Sequence, residues 1–201
     1  MAQQDERQTR AQLRQMLDPD FETYEEVDVR HALFRKRRLR VDLLAIPRDP
    51  LLSDLALAFE TKGERDWLIP TYAEALKQAS DYVLARVEPK LAEHAGKPVM
   101  ATFIYPAPRK VMEPNPRRVE ADRKIFFLSG MAHMAGYHRV GTARMENLKR
   151  GQALVLSVNE EIWNSQRGWR TNARNVLAGK RQVGSQRFPI LEEIQTLDGT
   201  R

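Results

Sequence analysis

Asp42, Glu60 and Lys62 are the residues whose types and spacing best support chemistry. Asp42 lies in the apolar run Val41-Asp42-Leu43-Leu44-Ala45-Ile46, and a second run, Leu55-Ala56-Leu57-Ala58-Phe59, ends in Glu60-Thr61-Lys62. If the runs are neighbouring strands, two carboxylates and an ammonium group meet at one edge of a sheet. Hard oxygen ligands suit Mg²⁺ or Mn²⁺, and such an ion polarises a phosphoryl oxygen and makes a nucleophile from water. The bland alternative is a solvated strand end carrying a Glu/Lys pair. Glu88-Pro89-Lys90 and Asp122-Arg123-Lys124 repeat the acid-x-Lys pattern, but both fall in segments that read as helix or helix end.

The elements that must position these groups follow from side-chain alternation along a strand. Leu55, Leu57, Phe59 and Thr61 share one face, and Ala56, Ala58, Glu60 and Lys62 share the other. Leu39, Val41, Leu43 and Ala45 likewise oppose Arg40 and Asp42. Pro47-Arg48-Asp49-Pro50 between the runs reads as a turn, which allows an antiparallel return and sets Asp42 beside Glu60. Asp54 has the same parity as Glu60 but lies about 20 Å away along a strand, too far for one ion. A helix is predicted from Pro70-Thr71, with Thr71 as N-cap and Glu74 completing a capping box. Its apolar stripe is Leu76, Ala79, Val83, Val87 and Leu91. Gln78 and Tyr82 project together beside that stripe, positioned to touch a phosphate or orient water. Otherwise Gln78 is an exposed helix residue and Tyr82 a half-buried core aromatic.

Asp42, Glu60-x-Lys62 on the following strand, and Gln78-x-x-x-Tyr82 on the next helix together resemble the PD-(D/E)XK nuclease superfamily, in particular its RecB-like branch with a glutamine motif. The resemblance covers residues 20 to 105, through short motifs, and Val41 stands where the family name has proline. It implies an α/β fold, a mixed central sheet flanked by helices (a restriction-endonuclease-like core). It implies that Asp42, Glu60 and the backbone carbonyl of Thr61 bind metal, while Lys62 positions the attacking water. Many members carry a further glutamate on the first helix. Glu6 lies on the early helix, but Glu26, in the first predicted strand Glu26-Val27-Asp28-Val29, is the residue chosen as an additional ligand; a surface strand acid is its alternative.

Charge is consistent with a polyanionic partner. The 201 residues carry a formal net charge of +6. Arg30, Arg35, Lys36, Arg37, Arg38 and Arg40 precede Asp42 with no acid among them, which reads either as a phosphate-holding loop at the rim of the site or as a solvated turn. Arg167, Trp169, Arg170, Arg174, Lys180 and Arg181 form a second cluster, read as a further nucleic-acid contact surface. The other reading is a basic surface helix whose tryptophans pack on the core. Residues 1–160 are expected to form a nuclease core, and 161–201 a basic C-terminal extension packed on it.

The remaining pattern predicts a buried strand at Val99–Tyr105, a proline-rich loop over 106–118, a helix over 119–135, and strands Val140–Glu146 and Gln152–Asn159 paired across Asn147–Gly151. His133 and His138 do not share a helix face as an i, i+4 pair would, so they are not taken as metal ligands. Cysteine is absent, which excludes disulfides and thiolate zinc sites. No phosphate-cradling Gly-x-x-x-x-Gly-Lys loop, long apolar run or signal-peptide pattern is found, so the expectation is a soluble cytoplasmic protein without membrane association. The expected function is a Mg²⁺- or Mn²⁺-dependent nuclease acting on DNA, with RNA as a further partner class. Structure-selective cutting in recombination, repair or a mobile element, with homodimerisation for two-strand cuts, fits this expectation. The competing readings are a nucleic-acid-binding protein that keeps the fold without cutting, and an adaptor unrelated to nucleic acid.

Overall fold

Six consecutive buried residues, Ala56–Thr61, run through the middle of a nine-stranded sheet. The computed structural model describes residues 2–32, 38–63, 69–83, 85–107 and 123–177. In chain order these form α1 (Ala2–Leu17), β1 (Phe21–His31), β2 (Arg38–Pro47), β3 (Ala56–Thr61), α2 (Ile69–Val83) and β4 (Ala85–Val87). A 3-10 turn at Ala92–His94 leads to β5 (Val99–Tyr105), α3 (Arg123–Tyr137), β6 (Val140–Leu148) and β7 (Gly151–Val158), followed by β8 (Glu160–Asn164), β9 (Gly168–Trp169) and α4 (Ala173–Leu177).

The sheet order is β4-β1-β2-β3-β5-β6-β7-β8-β9. It is mixed: β3, β5 and β6 are parallel, and every other neighbouring pair is antiparallel. The fold is therefore α/β with helices on both faces. Both faces of β3 are buried, as its unbroken apolar run requires. Leu57 and Phe59 join Leu43, Ala45, Phe103 and the α1 residues Leu13 and Leu17 in one core cluster. Ala56 and Ala58 lie in a second, with Leu44, Ile46 and Tyr82 of α2. Small alanines on that face let α2 approach the sheet closely, next to the acid that ends the alternation.

The predicted β5 is found at the same bounds, and the predicted hairpin appears as β6 and β7, joined in register from Leu148↔Gly151 to Thr142↔Ser157. Two expectations for α2 are corrected. The helix begins at Ile69, so Thr71 sits in its first turn rather than at the N-cap; Pro70 suits such a position because a first-turn N–H has no helical partner anyway. It ends at Val83, and Val87 belongs to β4. Apolar positions 83, 87 and 91 mimic a helical stripe, but Ala85 and Val87 also alternate as a strand does. The open edge of β1 supplies ladder partners, Val29↔Val87 and His31↔Ala85, while Pro89 is unsuited to a helix interior. Glu88-Pro89-Lys90 is consequently a turn after β4, not a helix end.

Residues 160–169 continue the same sheet, since β8 pairs with β7 through Leu156↔Trp163 and Val158↔Glu160, and β9 pairs with β8. No helix among the described residues is long and apolar enough to cross a membrane.

Candidate active site

The antiparallel register of β2 and β3, Leu43↔Phe59 and Leu44↔Ala58, sets Asp42 opposite Glu60 when continued by one residue. The ladder stops at Leu43, and beyond it the side chain of Asp42 takes over the pairing. Its Oδ2 accepts the backbone N–H of Thr61 at 2.7 Å and the Thr61 hydroxyl at 2.9 Å. Thr61 is thus tied to Asp42 through its N–H and Oγ1, a contact the sequence pattern did not reveal. On the other side of β3, the Lys62 N–H donates to the Tyr105 carbonyl at 2.9 Å, fixing the strand end to β5.

Glu60 is 2% exposed, and both of its oxygens have partners. Lys62 Nζ lies 2.7 Å from Oε1, and the Tyr82 hydroxyl lies 3.0 Å from Oε2. Lys62 Nζ also donates to Gln78 Oε1 at 3.3 Å. The structure therefore brings Asp42, Glu60, Thr61, Lys62, Gln78 and Tyr82 into one contact network, at the place where β2, β3 and α2 converge.

Burial, and then the charge of Asp42, push the Glu60 carboxyl up to about 7, although hydrogen bonds from Lys62 and Tyr82 oppose the shift. Two like charges side by side in a poorly solvated place cannot both ionise cheaply. Burial works against the Lys62 ammonium, but the hydrogen bond and charge of Glu60, then the charges of Asp42 and Glu6, outweigh it and leave its pKa above the ordinary value. Lys62 thus stays protonated. Tyr82 is pushed far above the usual phenol range by burial and by Glu60, so it remains a neutral hydroxyl. Its oxygen is also 2.8 Å from the Arg40 carbonyl, which can only accept. The phenol has one hydrogen to donate, to Glu60 Oε2 or to this carbonyl. An ionised Glu60 competes with Arg40 for the single Tyr82 hydrogen.

No protein-family model, curated protein or solved structure matches this chain.

Asp42 and Glu60 offer oxygen donors of the kind that Mg²⁺ or Mn²⁺ takes, and a divalent cation between them would relieve the repulsion that raises Glu60. The donor set is small. Among the described residues no group of three or more His, Cys, Asp or Glu side chains is arranged to hold a metal ion. Glu26 does not join the pair. It adopts φ 52°, and its carboxylate is taken by Arg10 of α1 at 3.3 Å and Arg40 at 3.6 Å. The residue opposite Asp42 on β1 is thereby turned to an ion-pair network, a result of backbone conformation that strand alternation does not reveal. Glu6, by contrast, contributes to the field at Lys62. Its only sequence signal was its place on the first helix.

The basic residues divide. Arg35, Lys36, Arg37, Lys180 and Arg181 lie outside the described residues. Arg38 and Arg40 open β2 and are well exposed, with long ion pairs: Arg38 to Glu88 at 3.9 Å, Arg40 to Glu26 and Asp28 at 3.6 Å each. They border a cleft of about 370 Å³ that runs along α2 past Gln78 and Tyr82. The C-terminal cluster lies elsewhere. Arg174 pairs with Asp54 at 2.9 Å and with the Leu51 carbonyl, in the turn between β2 and β3. That turn is about 20 Å along the strand from Glu60. Arg170 is 3.9 Å from Glu161, and Arg167 donates its backbone N–H to Asn164. Trp169 packs on Phe21 with centroids 5.5 Å apart, and Trp163 meets the same ring at 5.1 Å while donating to Asp20. Trp163 is buried and Trp169 is partly buried, both packed on Phe21, as the alternative of tryptophans packing on the core expects; the sequence could not separate the two uses because the packing partner lies in β1.

Proposed function

We propose that this chain is a Mg²⁺- or Mn²⁺-dependent nuclease of the PD-(D/E)XK kind, with a restriction-endonuclease-like core, that hydrolyses phosphodiester bonds of DNA. The observation that carries this reading is the meeting of Asp42 with the Glu60–Lys62 ion pair, in which a neighbouring carboxylate and burial push Glu60 up to about 7. An acid so raised is a feature of functional sites more often than of plain surface pairs. A bound divalent cation supplies Lewis-acid polarisation of the scissile phosphate and a more acidic water.

The chain's own residues carry the rest. Asp42 and Glu60 would hold the ion through carboxylate oxygens, and Thr61 fixes Asp42 through two hydrogen bonds. Lys62, kept charged by Glu60, is the group that orients the attacking water and steadies charge developing on the phosphate. Gln78 shares the Lys62 ammonium and limits where it points. Arg38 and Arg40 hold backbone phosphates at the mouth of the cleft, which gives affinity without reading sequence.

A second reading, a nucleic-acid-binding protein that keeps this arrangement without cutting, is favoured by one observation: both Glu60 oxygens already have protein partners. Plasmid and branched DNA incubated with Mg²⁺ separate the two. The nuclease reading expects cleavage that is lost in Asp42→Ala and in Lys62→Ala. Cleavage that survives both substitutions, or tight binding with no cleavage by the wild-type protein, overturns it.

A further inference from the structure

β4, β1 and β2 run side by side, and their register sets Arg86 opposite Arg30 and Arg30 opposite Arg38. Residues directly opposite in antiparallel strands share a face with Cα atoms about 5 Å apart, so three arginines stand in one row about 10 Å long. Like charges placed opposite each other destabilise a sheet, and this row holds two such pairs in succession. Compensation is thin. Arg30 and Arg38 share one carboxylate, Glu88, at 3.3 and 3.9 Å, and Glu88 is buried. Arg86 donates to the Gly96 carbonyl at 3.1 Å and has no ion pair among the described residues. Asp28, the next acid along this face of β1, is taken by Lys90 at 2.6 Å and by Arg40 at 3.6 Å. Solvent therefore meets guanidinium groups, with the side chains of Arg30 and Arg38 51% and 73% exposed, while the acid that serves them both is buried.

We propose that this row is a second nucleic-acid contact surface, which carries the sugar–phosphate backbone away from the candidate active site across β1 and β4. The inference takes its direction from the nuclease reading, on which it rests, and extends the substrate's path beyond the cleft. Continuity is the first argument. Arg38 belongs both to the row and to the cleft in which Gln78 reaches Lys62. Four residues, about 13 Å of strand, separate Arg38 from Asp42. Size is the second, because a row of about 10 Å spans about three nucleotides at ~3.4 Å of axial rise each. Chemistry is the third. All three cations are arginines, whose planar fork engages two phosphate oxygens at once, and such contacts bind backbone without reading sequence.

Glu88 is the row's internal counter-ion. It steadies Arg30 and Arg38 when no nucleic acid is bound and competes with phosphate when one is. Arg86 is isolated in the sequence, and only the pairing of β4 with the free edge of β1 brings it to the other two.

The test uses the full chain in chelator, which keeps DNA intact, with fluorescence anisotropy on a labelled duplex of about 20 base pairs between about 50 and 200 mM salt. Arg86→Gln, which frees only a backbone carbonyl, is expected to reduce the slope of log K against log salt by about 1, and Arg30→Gln combined with it by about 2. Glu88→Gln releases both remaining arginines and is expected to tighten binding by about threefold or more, a gain that a purely structural ion pair does not produce. Slopes that match wild type in both arginine variants, or a Glu88→Gln protein that binds no tighter than wild type, overturn the proposal. Thermal melts report folding, and should Glu88→Gln unfold, the Arg86→Gln slope decides. Polyglutamate of equal charge that displaces the duplex as well as unlabelled DNA does also overturns it, in favour of an acidic protein segment. Wild-type protein incubated with Mg²⁺ and the same duplex tells the two readings apart. Reduced slopes without cleavage mean that the nuclease reading has failed and the arginine row has not; cleavage with unchanged slopes means the reverse.

Discussion

The Tyr82 hydroxyl lies 3.0 Å from Glu60 Oε2 and 2.8 Å from the Arg40 carbonyl, so one phenol joins the acid on β3 to the backbone of β2. Removing that oxygen separates two effects. Tyr82→Phe keeps the buried ring and loses the hydrogen bond that lowers Glu60. The expected outcome is a loss of about 1 kcal/mol in urea unfolding and a Glu60 pKa higher than in the wild type, read by carboxyl NMR titration. An unchanged Glu60 titration would mean that the hydroxyl serves Arg40 alone.

Glu60 also makes stability depend on pH. Its folded pKa, about 7, lies above the ordinary value of 4.5, so the folded state binds more protons in that interval. The associated stability is fully present below about pH 4.5 and is lost as pH rises through about 7, by an amount on the order of 3 kcal/mol. Thermal melts in chelator from pH 4.5 to 8 should show this slope in the wild type, and Glu60→Gln should flatten it. If both proteins melt with the same pH profile, the acid is not perturbed as described.

Divalent cations bind the ionised acid, so their affinity should climb with pH up to and somewhat beyond 7. Calorimetric titration with Mn²⁺ at pH 6 and pH 8 is expected to differ by about tenfold in Kd and to show proton release at the lower pH. Asp42→Asn keeps an acceptor for the Thr61 N–H, so the fold should stay within about 1 kcal/mol of wild type while Mn²⁺ binding disappears.

Lys62→Met leaves Glu60 buried without its cation. Breaking such a pair costs about 3–5 kcal/mol when the remaining charge persists. Here Glu60 can take a proton, so the expected loss is smaller at pH 6 than at pH 8. Chemical denaturation at the two values checks this, and equal losses would show that Glu60 stays ionised.

The two arginine groups should behave differently toward nucleic acid. Arg40→Ala is expected to weaken DNA binding and to reduce the slope of log K against log salt by about 1. Arg174→Ala removes an exposed clamp on Asp54 and Leu51, so it should cost about 0–1 kcal/mol of stability and leave that slope unchanged. A change in slope for Arg174→Ala would place DNA on the far end of the sheet as well.

Much of the central sheet was legible because strands announce themselves by a period of two. Alternation around Asp42 and Glu60, with prolines between the runs, was enough to set the two acids opposite each other, and β5 and the β6–β7 hairpin were bounded by prolines, glycine and asparagine. Gln78 and Tyr82 were legible as a pair because four residues make about one helical turn. Where two periods overlapped the reading failed: Val83 and Val87 fit a helix as well as they fit a break into β4, and only the free edge of β1 resolved it.

The amino-acid sequence by itself determined which groups share a face, since that depends on backbone geometry between near neighbours. Tertiary structure alone decided which charges meet. Glu26 is drawn to Arg10 and Arg40, Trp169 to Phe21, Arg174 to Asp54, and Glu6 contributes to the field at Lys62, all through interactions between residues 14 to 148 positions apart. Local periodicity carries no information about such partners, because desolvation and Coulomb energy depend on distance in space and not along the chain.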